Sequence, residues 1–128
     1  MSEICTLIVD DSSVMRKIVE RALRQAGLED SLVVYEASSG SEALDVLKNS
    51  KVDLILSDIN MPVMDGLEFL RQLKAQNLAP SVPILMITTE SSEEHVKQAI
   101  QAGAVGYIRK PFTAEQVKER VLPLLGAV

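Results

Sequence analysis

Short aliphatic runs alternate five times with stretches of helical spacing along this chain. The runs are Cys5–Val9, Leu32–Ala37, Val52–Ser57, Ile84–Ile87 and Val105–Ile108. Each is brief and bounded by breakers or polar residues, so each reads as a strand. After the first run, Val14, Met15, Ile18, Val19, Ala22, Leu23 and Ala26 recur at helical intervals. Ser12 or Ser13 can cap that helix, and Gly27 stops it. A shorter second helix carries Ala43, Leu44 and Leu47 and ends near Asn49. A third starts at Asp65 or Gly66, with Leu67, Phe69, Leu70 and Leu73 facing inward. Ser91 or Ser92, with Glu93 or Glu94 downstream, resembles a capping arrangement for a fourth helix through Val96, Ala99 and Ile100 to Gly103. The fifth starts near Thr113 and runs through Val117, Val121, Leu122 and Leu125, with Pro123 in its last turn.

Strands joined by helical crossovers run parallel, and right-handed crossovers place helices on both faces of the sheet. The first, third and fourth strands are almost purely aliphatic, as burial of both faces requires. The pattern predicts a doubly wound α/β sandwich of five parallel strands. Periodicity does not fix the strand order, but 2-1-3-4-5 is one of the two common solutions. The 128 residues suit one domain, 1–128, with an apolar fraction of 47 % that is sufficient for a core.

A net charge of −5, with no basic stripe, argues against nucleic acid as a direct ligand. No stretch approaches the length of a membrane span, and Met1-Ser2-Glu3 lacks the basic start of a secretion signal. The single cysteine, Cys5, excludes an internal disulfide, fits a reducing cytoplasm, and is expected to be a small buried hydrophobe.

Parallel strands put the residues that follow them on one edge, where open α/β sheets carry their chemistry. That edge collects Asp10 and Asp11, Asp58 and Asn60, Thr88, and Lys110. Taken singly, each has a plainer role: the acid pair can cap a helix, Thr88 can be an edge hydroxyl, Lys110 a solvated charge. Their joint arrival from four strands has no such explanation. Two carboxylates about 4 Å apart repel by roughly 4 kcal/mol at an effective dielectric near 20, so the cluster must protonate or hold a cation. An incomplete all-oxygen set suits magnesium, which keeps several waters and leaves room for phosphate oxygens. Nitrogen- and sulfur-seeking metals fit poorly, since Cys5 lies at the far end of its strand and His95 reads as a surface residue. Magnesium, a lysine and a hydroxyl around a carboxylate nucleophile are equipment for phosphoryl transfer. Asp58, held on a central strand between the acid pair and Lys110, is the best nucleophile candidate.

The residues that carry this edge are Val9-Asp10-Asp11-Ser12, Ser57-Asp58-Ile59-Asn60-Met61-Pro62-Val63-Met64-Asp65-Gly66, Thr88-Thr89-Glu90, Ala102-Gly103-Ala104-Val105-Gly106-Tyr107 and Lys110-Pro111-Phe112-Thr113. In order and at these spacings they resemble response-regulator receiver domains, above all the stand-alone chemotaxis type, over essentially the whole chain. The resemblance implies a flavodoxin-like (βα)5 fold in the order 2-1-3-4-5. It implies that Asp58 accepts a phosphoryl group from a histidine kinase. It assigns magnesium to Asp11, Asp58 and the Asn60 backbone carbonyl, with Asp10 helping through water. Lys110 would hold a phosphoryl oxygen, with its bond to Pro111 cis. Thr88 would swing toward the phosphate and let Tyr107 turn inward, remodelling the face of the fourth helix, fifth strand and fifth helix. Asn60 and Glu90 stand where self-dephosphorylation is tuned, and Thr89, bulkier than usual there, narrows access. The family implies a signalling module rather than an enzyme, monomeric, with only self-phosphorylation from small donors and self-dephosphorylation as chemistry.

Partners implied are a histidine kinase and, within chemotaxis, a flagellar motor switch protein or a phosphatase. Glu93, Glu94 and His95 make the start of the fourth helix more acidic than a motor binder suggests. Three alternatives remain at this point. One is the receiver half of a larger regulator with a DNA-binding or enzymatic output domain. An aspartyl-nucleophile phosphohydrolase is a second, but it normally carries a second acid where Asn60 stands. A flavin-binding protein is the third, and it lacks its phosphate loop, because two acids follow the first strand.

Overall fold

A computed structural model describes residues 3–59, 61, 64–89 and 93–125. Within them five strands, β1 (Ile4–Val9), β2 (Leu32–Ala37), β3 (Leu54–Asp58), β4 (Ile84–Thr88) and β5 (Gly106–Arg109), alternate with five helices. The helices are α1 (Ser13–Leu23), α2 (Gly40–Asn49), α3 (Gly66–Ala75), α4 (Glu93–Gln101) and α5 (Ala114–Val121). All strand pairs are parallel, in the order β2-β1-β3-β4-β5, the expected doubly wound sandwich. The register aligns Val9 with both Ala37 and Ser57, Asp58 with Ile87, and Thr88 with Arg109. The carboxyl ends of four neighbouring strands therefore finish nearly level, and that levelness brings side chains from distant parts of the chain to one edge.

The strand period of two divides the core into two layers. Leu7, Val9, Ile55 and Met86 face one side, with Phe69, Leu70 and Leu73 of α3 and Ala43 of α2. Ile8, Leu54, Leu56, Leu85 and Ile108 face the other, with Val19 and Leu23 of α1 and Val117 and Val121 of α5. A fully buried aliphatic side chain contributes about 1.5–3 kcal/mol, so β3 and β4, buried at every position, are the best-anchored strands. Ser12, Ser39, Asp65 and Thr113 cap α1, α2, α3 and α5 through their side-chain oxygens, and Thr113 forms a full capping box with Gln116. Each such cap is worth about 1 kcal/mol.

Some expectations need correction. Of the apolar positions on α1, only Val19, Ala22 and Leu23 are buried, while Val14 and Ile18 are 67 % and 43 % exposed. At about 100° per residue the six apolar positions of α1 span more of the helix than one sheet face can cover. Gly27 does stop the helix as expected: a π-helical turn at Arg24–Leu28 leads into it, and its φ of 108° is one only glycine adopts comfortably. Val105, read as the start of the fifth strand, lies just before β5 and is exposed, as is Ile100 on α4. His95 is half-buried instead of lying on the surface, and Cys5 is half-buried instead of buried. Desolvation, with Asp53 and Glu3 adding repulsion, pushes the Cys5 thiol up, which keeps it protonated and unreactive. The chain after α5 tightens into a 3-10 turn at Leu122–Leu125 that contains Pro123, as expected. The capping arrangement expected at Ser91 and Ser92 lies outside the described residues. Among the described residues no helix is long and apolar enough to cross a membrane.

Candidate functional site

The ladder between β1 and β2 runs one residue past the strand, through the Asp10 amide to the Ala37 carbonyl at 3.1 Å. The chain then turns sharply into α1, and that turn is built around Asp10. Its Oδ1 accepts from the Ser12 amide at 2.9 Å, and its Oδ2 accepts from Lys110 Nζ at 3.1 Å. Its backbone carbonyl accepts from Arg16 Nη1 at 2.6 Å. Asp10 is 4 % exposed, whereas Asp11 projects into solvent.

Asp58 is the last residue of β3, one place earlier relative to the strand end than the sequence suggested, and is 7 % exposed. Its carbonyl accepts from the Ser57 hydroxyl at 3.0 Å. The chain doubles back there, with the Gly66 amide donating to the Ile59 carbonyl at 2.7 Å. That close return requires glycine, because a Cβ on residue 66 would strike the Asp58 carbonyl oxygen.

Lys110 arrives from β5, anchored by its amide to the Thr88 carbonyl at 2.8 Å and followed by a cis bond to Pro111. Its ammonium lies 3.1 Å from Asp10 Oδ2 and 3.5 Å from Asp58 Oδ2, with its side chain only 13 % exposed. Asp10, Asp11 and Asp58 each offer a carboxylate oxygen, all within 4.8 Å of one another. Lys110 supplies one positive charge against three negative ones. The remaining charge, the all-oxygen donors and the exposed side that Asp11 leaves open together fit a hard divalent cation such as magnesium.

Thr88 is fully buried at the end of β4, and Thr89 beside it is exposed. Tyr107 is half-buried on β5, in register with Met86 and packed against the α3 side of the core. It lines a cleft of about 510 Å³ with Arg109, Lys110, Gln116, Glu119 and Arg120. The fold thus brings Asp10, Asp11, Asp58, Thr88 and Lys110 to one edge, with Tyr107 within its own strand but further back. Asn60 and Glu90 lie outside the described residues.

Three residues beside this edge, Arg16, Lys17 and Glu36, were missed by sequence reasoning. Arg16 on α1 donates through Nε to Glu36 Oε1 at 2.8 Å while its Nη1 holds the Asp10 carbonyl. Lys17 meets the other oxygen of Glu36 at 3.0 Å. Hydrogen bonds from Arg16 first, then Lys17, hold the Glu36 carboxyl below its usual range. The available signal was the pairing of β1 with β2, which sets Glu36 opposite Ile8, two residues before Asp10.

The family described as response regulator receiver domain matches residues 6–122. A Campylobacter jejuni protein named chemotaxis protein CheY homolog is 43 % identical over 121 residues, covering 94 % of this chain and 91 % of that protein. The structure of Vibrio cholerae chemotaxis protein CheY4 superposes with a TM-score of 0.85 at 37 % identity, covering 97 % of this chain and all of that one. The receiver domain of the Mycobacterium tuberculosis response regulator NarL does so with a TM-score of 0.85 at 29 % identity, covering both chains fully.

Proposed function

The chain belongs to the response regulator receiver domain family, and from that premise we propose that it is a phosphorelay switch whose phosphoacceptor is Asp58. One observation carries the reading: a single lysine ammonium lies against both Asp10 and Asp58, with Asp11 in reach of the same point. An Asp58 carboxylate oxygen attacks the phosphorus of a phosphohistidine on a histidine kinase. A P–O bond forms, the P–N bond breaks with its electron pair going to the imidazole nitrogen, and that nitrogen takes a proton from solvent as the ring leaves. Lys110 then offsets charge on a phosphoryl oxygen, which exchanges its Asp58 contact for one to the new group. Asp11, Asp58 and the Asn60 backbone carbonyl would hold magnesium, Asp10 acting through water; the ion supplies charge neutralisation at the phosphoryl oxygens. Burial of Asp58 and Asp10 limits water and strengthens these electrostatics.

Downstream, the Thr88 hydroxyl turns toward the phosphoryl group and Tyr107 swings inward, changing the face made by α4, β5 and α5. A charge of about −2 at one edge biases an element that has two packings. Asn60, Glu90 and Thr89 set the rate of self-dephosphorylation. The setting we propose is chemotaxis in the cytoplasm, with a monomeric single domain spanning 1–128, no chemistry beyond self-phosphorylation from small donors and self-dephosphorylation, and a motor switch protein or phosphatase reading the switched face. The relatives named for chemotaxis support this choice over a receiver attached to an output domain.

The test is intact mass after incubation with a small acyl phosphate, with and without magnesium, on the native protein and Asp58→Asn. A magnesium-dependent gain of one phosphoryl group that Asp58→Asn lacks is expected. An adduct of equal size on Asp58→Asn would place the acceptor elsewhere.

A further inference from the structure

Arg16 ties together three parts of the molecule that must keep a fixed relation for the acid edge to work. Its side chain, 15 % exposed, leaves α1 and forks. Nη1 donates to the Asp10 carbonyl at 2.6 Å and Nε to Glu36 at 2.8 Å, so the end of β1 is clamped to the end of β2. The Asp10 carbonyl belongs to the peptide plane that joins Asp10 to Asp11. Holding that oxygen fixes the plane, and the plane fixes where the Asp11 chain departs. The Asp10 carboxylate is already held by the Ser12 amide and Lys110. Asp11 is exposed, and among the described residues no hydrogen bond or ion pair reaches its carboxylate, so its direction depends on the backbone beneath it.

We infer that Arg16, buttressed by Glu36, is a positioning residue that presets the Asp10–Asp11 peptide so that Asp11 is aimed at the cation before the cation arrives. This rests on the reading of Asp10, Asp11 and Asp58 as a magnesium site. Glu36 in turn is held by Arg16 and Lys17, one carboxylate oxygen each, so the buttress is itself braced. A lysine cannot replace the fork, because an ammonium is a point charge without two divergent, coplanar donors. Partners one shell out from a metal's ligands commonly change affinity by about 10–100-fold.

The experiment measures the magnesium concentration that gives half-maximal phosphorylation from a small acyl phosphate, and separately the magnesium Kd by calorimetry. It compares the native protein, Arg16→Met, Arg16→Lys and Glu36→Gln. Both Arg16 variants should raise the Kd and the half-maximal concentration by roughly tenfold, and Glu36→Gln by less. Phosphorylation at saturating magnesium should stay within about threefold of native, because the acceptor and Lys110 are untouched. Urea midpoints without magnesium guard against a folding defect. Variants that lose stability yet bind magnesium as the native protein does would reduce Arg16 to a structural tie and overturn the inference. Full rescue by lysine would overturn the fork. A native protein that neither binds magnesium nor takes a phosphoryl group would overturn the function on which the inference stands, whatever the variants do.

Discussion

Gly66 lies so close beneath Asp58 that a single methyl group on it would strike the Asp58 carbonyl oxygen. The same methyl would also come within 2.8 Å of Ile59 Cα and 2.9 Å of Met86 Cε. Two of the three obstacles are backbone, which cannot turn aside as a side chain can. Gly66→Ala should therefore destabilise the fold by about 1–3 kcal/mol, read from urea midpoints. It should also lower phosphorylation of Asp58, whose strand end must shift. A variant as stable as the native protein would show that β3 can move there freely.

Lys110 competes with any cation for the acids it faces. Removing it leaves Asp10 and Asp58 without their shared ammonium, and a unit charge about 4 Å away is worth about 1 kcal/mol even at the dielectric of water. Lys110→Met should accordingly bind magnesium roughly fivefold more tightly, while phosphorylation becomes slower. Calorimetry decides the first part and intact-mass time courses the second. Weaker magnesium binding in this variant would mean that Lys110 organises the acids more than it opposes the ion.

Glu36 gives a pH dependence of known sign. Its carboxyl is held low by Arg16 first and Lys17 second. A lowered carboxyl contributes stability that is present above its unfolded value near 4.3 and is lost as pH falls through the lower folded value. Glu36→Gln should thus be less stable than the native protein at pH 7, with the gap closing below about pH 4. With the Glu36 side chain 30 % exposed, screening keeps the gap under about 1 kcal/mol. Urea midpoints at pH 7, 5 and 3 trace it. A gap that widens in acid contradicts the assignment.

Thr6 is fully buried on β1, and its hydroxyl has no hydrogen-bond partner among the described residues. Valine has nearly the same shape without the polar atom. Thr6→Val should be neutral or stabilise the fold by about 1 kcal/mol. A loss of stability would reveal a water or a neighbour that satisfies the hydroxyl.

Much of this architecture could be read before any coordinates. Aliphatic runs ending in Asp10, Asp58, Thr88 and Lys110 converge because parallel strands share a direction, and that is a property of connectivity alone. What escaped was anything that depends on rotation about a helix axis or on register. The apolar positions of α1 could not be divided into the buried Val19, Ala22 and Leu23 and the exposed Val14 and Ile18 without knowing how the helix rolls on the sheet. Arg16 and Glu36 lie 20 residues apart, and nothing in either neighbourhood announces a pair. Only the alignment of Ile8 with Glu36 across β1 and β2 brings them together. His95 reads as a surface residue in the sequence, yet the helix turns it partly inward.

Asp10 and Lys110, joined at 3.1 Å, are separated by 100 residues of chain. Their contact closes nearly the whole sequence into one loop, and it forms only when β5 has taken its place at the far side of β4. A chain still emerging from the ribosome, with β5 not yet made, holds Asp58 in a half-built edge with no ammonium opposite it. On the proposed function, competence to signal is then a late event in the life of each molecule. The edge itself thus distinguishes a finished chain from one that has not yet made its last strand.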